Sequence, residues 1–322
     1  MQDIVSVVDL VKRYGGMIAL DHFTMKIERG EIFGLLGPNG SGKTTAINCI
    51  LQLLTYDRGE ICLFGQPMTQ SSYELKRKIG IVPQNVAVFE ELSVRENIDY
   101  FCGLYVSDSA TRRKLVREAI EFVGLEDYEK SRPKKLSGGL LRRLNIACGI
   151  AHNYLAENYP GGCPHPVLKI SQYPLPASLV RRMASECGSL LIIEDGSTIV
   201  YTSHYMEEVE EICTRIMIMD KGRTLACGTN EELKQIVAAG EKIVIEAEVP
   251  EGALVRIQSL PHVLGAQYDD SQLSITCENG EHNVADVLDE LTKARIRPGR
   301  IWAEPPTLND VFLEITGREL RD

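Results

Sequence analysis

The spacing of hydrophobic residues divides the first half of the chain into a strand-rich part and a helical part. Residues 3–30 alternate apolar and polar positions, as at Phe23, Met25 and Ile27, and this alternation predicts strands. Residues 90–152 follow the helical period instead. This part predicts three helices, over 93–105, 110–123 and 138–151, the first of them opened by a capping box of Ser93 and Glu96.

One stretch combines a buried strand, a glycine-rich loop and a helix. Residues 32–36 form a short apolar run, typical of a strand that is buried on both faces. A helical pattern follows, with one apolar face made of Ala46, Ile47, Ile50, Leu51 and Leu54. The loop between them matches G-x-x-x-x-G-K-[ST] at every fixed position, with Gly37, Pro38, Asn39, Gly40, Ser41, Gly42, Lys43 and Thr44.

The residue types of this loop suit phosphate binding. Glycines let the backbone turn tightly and aim successive N–H groups inward, and the following helix adds the partial positive charge of its N-terminus. Lys43 can reach the β- and γ-phosphates, and the Thr44 hydroxyl can ligate Mg²⁺. The strand before and the helix after favour a nucleotide site over a glycine-rich turn with a surface lysine.

Composition narrows the class of protein. A length of 322 residues with 44% hydrophobic and 25% charged residues suggests about two globular domains. No apolar run approaches the ~18 residues that span a bilayer, and the N-terminus lacks a signal-peptide pattern, so we expect a cytosolic protein. A net charge of −10 argues against nucleic acid as the main partner. The nine cysteines form no C-x-x-C pair, so we expect neither a zinc site nor a disulfide framework.

Residues 240–322 predict a second, smaller unit. Strands are expected over 242–249, 263–268, 272–277 and 300–303, with helices near 253–260 and over 284–296. The order βαββαβ indicates a small ferredoxin-like α+β module. Its role as a regulatory, dimer-forming or purely structural element stays open at this point.

Two further features allow both a structural and a functional interpretation. Tyr14 is either a half-buried aromatic at the end of an edge strand or a platform on which a nucleobase stacks. Leu136, Ser137, Gly138 and Gly139 stand where the third helix begins. Ser137 there is first of all an N-cap, although its exposed N–H groups and hydroxyl could also bind a phosphate.

In this order the motifs resemble the ATP-binding subunit of an ABC transporter, over residues 1–152 and 196–235. Tyr14 matches the adenine-stacking aromatic, residues 37–45 match the phosphate loop through Thr45, and Gln84 matches the glutamine loop. The signature LSGGQ is matched by Leu136, Ser137, Gly138, Gly139 and Leu140, with leucine in place of the usual glutamine. His204 matches the switch histidine. The ending PPTLNDVFLEITGREL is similar to the tail of ABC-2-type drug or antibiotic exporters.

The resemblance implies an α/β fold, a P-loop NTPase of the ABC type with a helical subdomain at about 88–152. We accordingly expect an ATP-binding domain over 1–238 and the α+β module over 239–322. ATP and Mg²⁺ are the implied cofactors, with Thr44 and Gln84 at the metal. The implied partners are a second ATP-binding subunit, homo- or heterodimeric, whose signature contacts the first subunit's γ-phosphate, and a membrane permease contacted by residues near 85–100. The implied location is the cytoplasmic face of the membrane.

Residues 153–195 depart from the family pattern. The family places an apolar strand ending in Asp-Glu soon after the signature helix, but residues 153–162 are neither apolar nor strand-like, and prolines follow at 160, 164, 166, 174 and 176. The one candidate carboxylate is Glu194, where the acids stand in reversed order and the next strand follows at once. Two apolar runs so close together predict an antiparallel hairpin. Compensating frameshifts or a replaced segment would leave such a pattern.

This departure leads us to expect slow ATP hydrolysis and a sheet that lacks its central strand. The leading hypothesis is an energy-coupling ATPase subunit of an exporter, with His204 and Gln84 in the catalytic shell. The alternative is an ATP-binding switch or damaged paralogue that does not turn over. A soluble ABC protein acting on ribosomes or DNA would normally carry two cassettes or basic patches, and the sequence shows neither.

Overall fold

The computed structural model describes residues 3–152, 189–193, 198–203, 205–236, 239–269, 271–278, 283–304 and 306–317. The chain forms two compact units that divide between Cys227 and Gly228, upstream of the boundary predicted after residue 238. Residues 230–234 form a short helix that contacts the last helix of the second unit, which explains why this stretch groups with that unit.

The N-terminal unit contains two sheets and six α-helices among its described residues. The antiparallel sheet has the order β2-β1-β4-β5, built from β1 (Asp3–Tyr14), β2 (Met17–Glu28), β4 (Arg58–Leu63) and β5 (Gln66–Pro67). The second sheet is built from β3 (Ile32–Leu36), β6 (Ile79–Val82), β7 (Ser189–Ile193), β8 (Thr198–Ser203), β9 (Arg215–Asp220) and β10 (Arg223–Gly228). The helices are α1 (Lys43–Ile50), α2 (Tyr73–Lys76), α3 (Val94–Gly103), α4 (Ser109–Val123), α5 (Gly138–Ile150) and α6 (Met206–Ile212).

The second sheet has the order β10-β9-β3-β8-β7-β6. Strand β3 pairs in parallel with β8 and β9, so Leu36, Ser203 and Ile218 lie at the same edge. Leu35 and Leu36, whose side chains point to opposite faces of the strand, are both fully buried, which confirms a strand covered on both faces. Ile47 and Ile50 of α1 pack into the same core, as the apolar face of this helix predicted.

Strand β7 is the second strand from one edge of this sheet and runs antiparallel to both of its neighbours. It pairs antiparallel with β8, from Ser189↔Thr202 to Ile193↔Thr198, and antiparallel with β6 on its other side. The predicted hairpin is therefore confirmed. We expected the sheet to lack a strand here, but residues 189–193 fill an interior position between β8 and β6, in the direction opposite to both neighbours.

Three helices form the helical part of the unit. Helices α3, α4 and α5 contact one another, and their positions confirm the three helices predicted from periodicity. The capping box of Ser93 and Glu96 is present at the start of α3. Two short 3₁₀ helices, Glu126–Tyr128 and Pro133–Lys135, connect α4 to α5.

The second unit begins with α7 (Asn230–Lys234) and contains one antiparallel sheet of order β12-β13-β11-β14. Its remaining elements are β11 (Ala239–Glu246), α8 (Glu251–Gln258), β12 (Val263–Asp269), β13 (Gln272–Glu278), α9 (Asn283–Lys293), β14 (Ile301–Glu304) and α10 (Leu308–Thr316). The order from β11 to β14 confirms the predicted βαββαβ module. Ile243, Ile245 and Ile275 of the sheet share one buried core with Val287 and Leu291 of α9.

No helix among the described residues combines the length and the apolar character that crossing a bilayer requires.

Candidate functional site: a nucleotide cleft in the N-terminal unit

A cleft of about 270 Å³ opens at the edge of the sheet where β3 and β8 end. We call it the nucleotide cleft, and its walls are Tyr14, Met17, Ile18, Ala19, Asn39, Gly40, Gly42, Lys43, Thr44, Thr45, Gln84, Thr202, Ser203 and Lys221. Ligand sites of open α/β sheets lie outside the carboxyl ends of parallel strands, and this cleft has that position.

Close backbone packing explains two of the glycines in the phosphate loop. A Cβ atom on Gly37 would lie 2.2 Å from the carbonyl oxygen of Met219 in β9. Gly42, which caps α1, has φ +107°, and a Cβ there would lie 2.7 Å from the carbonyl oxygen of Ala19 in β2. The loop is therefore held between β9 and β2 at distances that only glycine allows.

Lys43 is positioned over the start of this loop. Its ammonium donates hydrogen bonds to the carbonyl oxygens of Gly37 at 2.6 Å and Pro38 at 2.9 Å. Burial lowers the pKa of Lys43 to about 8. A lysine held in this way carries a positive charge that an anionic ligand would stabilise, beside the N-terminus of α1, where no acidic residue stands in the first turn.

Thr44 and Gln84 face the same cleft from two different elements. Thr44 is in the first turn of α1, and Gln84 follows the end of β6, so the fold brings together the two residues predicted at the metal. Their hydroxyl and amide oxygens are hard donors of the kind that hold Mg²⁺ together with phosphate oxygens and water. The donor set therefore fits Mg²⁺. Among the described residues that line the cleft there is no carboxylate.

One part of the cleft wall is apolar and exposed. Tyr14 is 43% exposed at the end of β1, and Met17 is 63% exposed opposite it in β2. Ile18 is also exposed, and the Lys12 ammonium lies 4.9 Å from the centre of the Tyr14 ring. Exposed apolar side chains of this kind can cover the faces of a nucleobase.

Sequence reasoning found part of this wall and missed the rest. Of the predicted ATP-binding residues, Gly37, Pro38 and Ser41 do not line the cleft, and Ser41 is instead buried against Gly37. The missed residues are Met17, Ile18, Ala19, Thr202, Ser203 and Lys221. Met17 could have been predicted, since a tight turn at residues 15–16 places it opposite Tyr14. No pattern in the sequence around Lys221 indicates that it lines the cleft.

The signature residues do not line the cleft of their own chain. Ser137 caps α5, where its hydroxyl accepts a hydrogen bond from the backbone N–H of Leu140 at 3.4 Å, so the N-cap interpretation is confirmed. Ser137, Gly138 and Gly139 are exposed, and Leu136 is half-buried. A phosphate on a second chain could reach these N–H groups, so their predicted role stays a prediction.

The two remaining predicted site residues, His204 and Glu194, lie outside the described residues. The strands beside them are described. Ser203 ends β8 in the cleft wall, directly before His204. Ile193, directly before Glu194 in sequence, ends β7 at the opposite edge of the sheet. Ser189, at the other end of this strand, lies about 13 Å away along it.

Comparisons with known proteins agree with this geometry. The family model described as ABC transporter matches residues 20–154, and the model for the C-terminal domain of DrrA1-3-like ATP-binding proteins matches residues 228–316. The linearmycin resistance ATP-binding protein LnrL of Bacillus subtilis (strain 168) is 34% identical over 98% of both chains. The Nod factor export ATP-binding protein I of Burkholderia orbicola (strain AU 1054) is 32% identical over 97% of this chain and 96% of the relative.

The daunorubicin resistance ATP-binding protein DrrA3 of Streptomyces coeruleorubidus is 30% identical over 96% of this chain and 95% of the relative. The solved dimer of the ATP-binding cassette MJ0796 with ADP and Pi shares the fold, with a TM-score of 0.53 at 23% identity over 70% of this chain and 98% of that one. The chain therefore belongs to the ATP-binding subunits of ABC transporters, a family of ABC-type ATPases.

Proposed function

We propose that this chain binds ATP and Mg²⁺ in the nucleotide cleft and, paired with a second ATP-binding subunit, drives export through a separate membrane permease. The observation that carries the proposal is the cleft itself, which joins an aromatic wall at Tyr14 to a phosphate loop at Lys43 and an amide oxygen at Gln84. Full-length similarity to subunits named for drug resistance and Nod factor export supports an export system.

Different residues of the cleft would contact the base, the phosphates and the metal ion of the nucleotide. Tyr14, Met17 and Ile18 face the base, and the backbone N–H groups of the loop with Lys43 face the phosphates. Mg²⁺, when bound, neutralises phosphate charge, and Thr44 and Gln84 are the residues that would hold it. His204, directly after Ser203, would contact the γ-phosphate.

The second subunit would complete the site. The exposed signature residues of one chain would lie against the γ-phosphate in the cleft of the other, because the N-terminus of α5 offers unpaired N–H groups and a hydroxyl. ATP would then be buried at two equivalent positions in a head-to-tail dimer.

The permease would dock on an exposed aromatic cluster of Phe89, Tyr100 and Phe101. Phe89, Tyr100 and Phe101 contact one another, with ring centres 4.8 to 5.9 Å apart. Phe89 is 42% and Tyr100 is 48% exposed. Aromatic side chains are enriched at protein interfaces, and these lie within the stretch predicted to contact the permease. This docking would hold the subunit at the cytoplasmic face of the membrane.

Co-purification tests this function. The chain is co-expressed with a multi-span membrane protein as the candidate permease, and the presence of the chain in the membrane fraction is measured together with ATP-dependent phosphate release. We expect Phe89→Ser with Tyr100→Ser to release the subunit into the soluble fraction. Tyr73→Ser, at an exposed tyrosine outside the cluster, serves as the matched control and should leave the subunit bound. If the wild type, the double variant and Tyr73→Ser were all released, or if none of them were, the assignment of the docking surface would be contradicted.

The comparisons give no support to the alternative of a damaged or inactive paralogue, since the relatives align over nearly the whole chain. The described part of the cleft has no carboxylate that could orient the attacking water. We therefore expect slow hydrolysis and not a loss of ATP binding.

A further inference from the structure

A connecting segment, residues 83–93, joins β6 to α3 without forming a helix or strand. Near its start Gln84 lines the nucleotide cleft, and further along Phe89 belongs to the exposed aromatic cluster. The backbone groups of such a segment need partners from elsewhere in the fold.

Two buried side chains of α5 supply partners at the Gln84 end. The guanidinium of Arg142 donates to the carbonyl oxygens of Pro83 at 2.6 Å and Gln84 at 3.0 Å. The amide of Asn145 donates to the same Pro83 oxygen at 3.0 Å and accepts from the Ala87 N–H at 3.2 Å. Arg142 is 6% and Asn145 is 2% exposed.

A third buried side chain holds the other end of the segment. Asn97 of α3, which is fully buried, accepts from the Phe89 N–H at 2.7 Å and donates to the carbonyl oxygens of Phe89, Leu92 and Ser93 at 3.0 to 3.2 Å. The two ends of the connecting segment are therefore anchored separately, one by α5 and one by α3.

Burying the polar groups of an arginine and two asparagines costs free energy unless they form hydrogen bonds. The backbone groups that they bond are therefore held in place. The carbonyl oxygens of Pro83 and Gln84 flank the Cα atom of Gln84. Anchoring both carbonyls fixes the direction of the Cα–Cβ bond of Gln84 and so limits the positions that its amide oxygen can reach in the cleft.

We propose that Arg142 and Asn145 are positioning residues that hold Gln84 at the metal end of the nucleotide cleft, so that the signature helix α5 sets the Mg²⁺ site of its own chain. This inference rests on the proposed function, which places Gln84 at the metal. Partners that orient a metal ligand typically change metal affinity by about 10- to 100-fold when they are lost.

The test measures the Mg²⁺ concentration that gives half of the Mg²⁺-dependent gain in binding of a fluorescent, non-hydrolysable ATP analogue. Asn145→Leu, which keeps the shape and loses both hydrogen bonds, should raise this concentration by about tenfold or more. Asn145→Asp, which keeps the acceptor for Ala87 and loses the donor to Pro83, should give a smaller rise. Asn97→Leu is the matched control: it removes the same kind of anchor from the far end, and it should lower the melting temperature without moving the Mg²⁺ midpoint by more than about twofold.

A double-mutant cycle with Gln84→Ala separates positioning from general destabilisation. If Asn145 acts through Gln84, adding Asn145→Leu to Gln84→Ala should raise the midpoint no further. Additive effects, an equal shift in Asn97→Leu, or unchanged midpoints in both Asn145 variants would overturn the inference, as would an unchanged midpoint in Gln84→Ala. Failure of the wild-type chain to bind the analogue at all would instead overturn the proposed function.

Discussion

Raising the pH should weaken nucleotide binding through the loss of one proton from Lys43. Burial lowers the pKa of Lys43 to about 8 in the ligand-free chain, whereas phosphates beside the ammonium would favour its charged form. If the protonated form alone binds, the apparent Kd scales with the inverse of its fraction. With a pKa of about 8, the Kd rises roughly 25-fold between about pH 7.5 and about pH 9.5, or about 1.9 kcal/mol.

The assay is a titration with a fluorescent ATP analogue across this pH range, in which the triphosphate keeps one charge state. Lys43→Arg is the matched control, because a guanidinium keeps its proton throughout the range. Its affinity for the analogue should be lower than that of the wild type but nearly independent of pH. A flat profile for the wild-type chain, or the same slope in Lys43→Arg, would refute the assignment of the titrating group to Lys43.

Three further expectations concern assembly, turnover and the loop. Light scattering should show a dimer only with ATP and Mg²⁺, and Ser137→Arg should abolish the shift; a monomer at every ATP concentration would count against the head-to-tail dimer. Phosphate release should be slower by orders of magnitude than in a version whose residues 153–195 carry the family's Asp-Glu strand, because a carboxylate orients the attacking water; equal rates would contradict this. Gly37→Ala should destabilise the chain by about 1–3 kcal/mol in thermal melts, since its Cβ would lie 2.2 Å from Met219 O, and an unchanged melting temperature would disprove that packing.

Local sequence predicted the parts of the site that are local in the chain. The phosphate loop, the strand before it and the helix after it are continuous in sequence, so their residue types and spacing determine their structure together. The cap at Ser137 and the hairpin ending in Ser203 were predicted for the same reason.

The parts that the sequence did not predict depend on contacts between distant elements. Lys221 lines the cleft because β9 pairs beside β3, and no residue type near Lys221 indicates that pairing. The reversed strand β7 could be predicted as part of a hairpin, but its place between β6 and β8 follows from the sheet as a whole. Asn145 would be expected on the polar face of a helix, and its burial against Pro83 appears only in three dimensions.

The central claim is that ATP binds in the nucleotide cleft through Lys43, and a comparison of nucleotide affinities tests it most directly. Wild type, Lys43→Ala and the control Lys114→Ala, an exposed lysine on α4, are titrated with the fluorescent ATP analogue near pH 7.5. Loss of a charged partner to the phosphates should weaken binding by about 1.5–3 kcal/mol, or roughly 10- to 150-fold in Kd, in Lys43→Ala alone. Equal affinity of wild type and Lys43→Ala for the analogue would contradict the account.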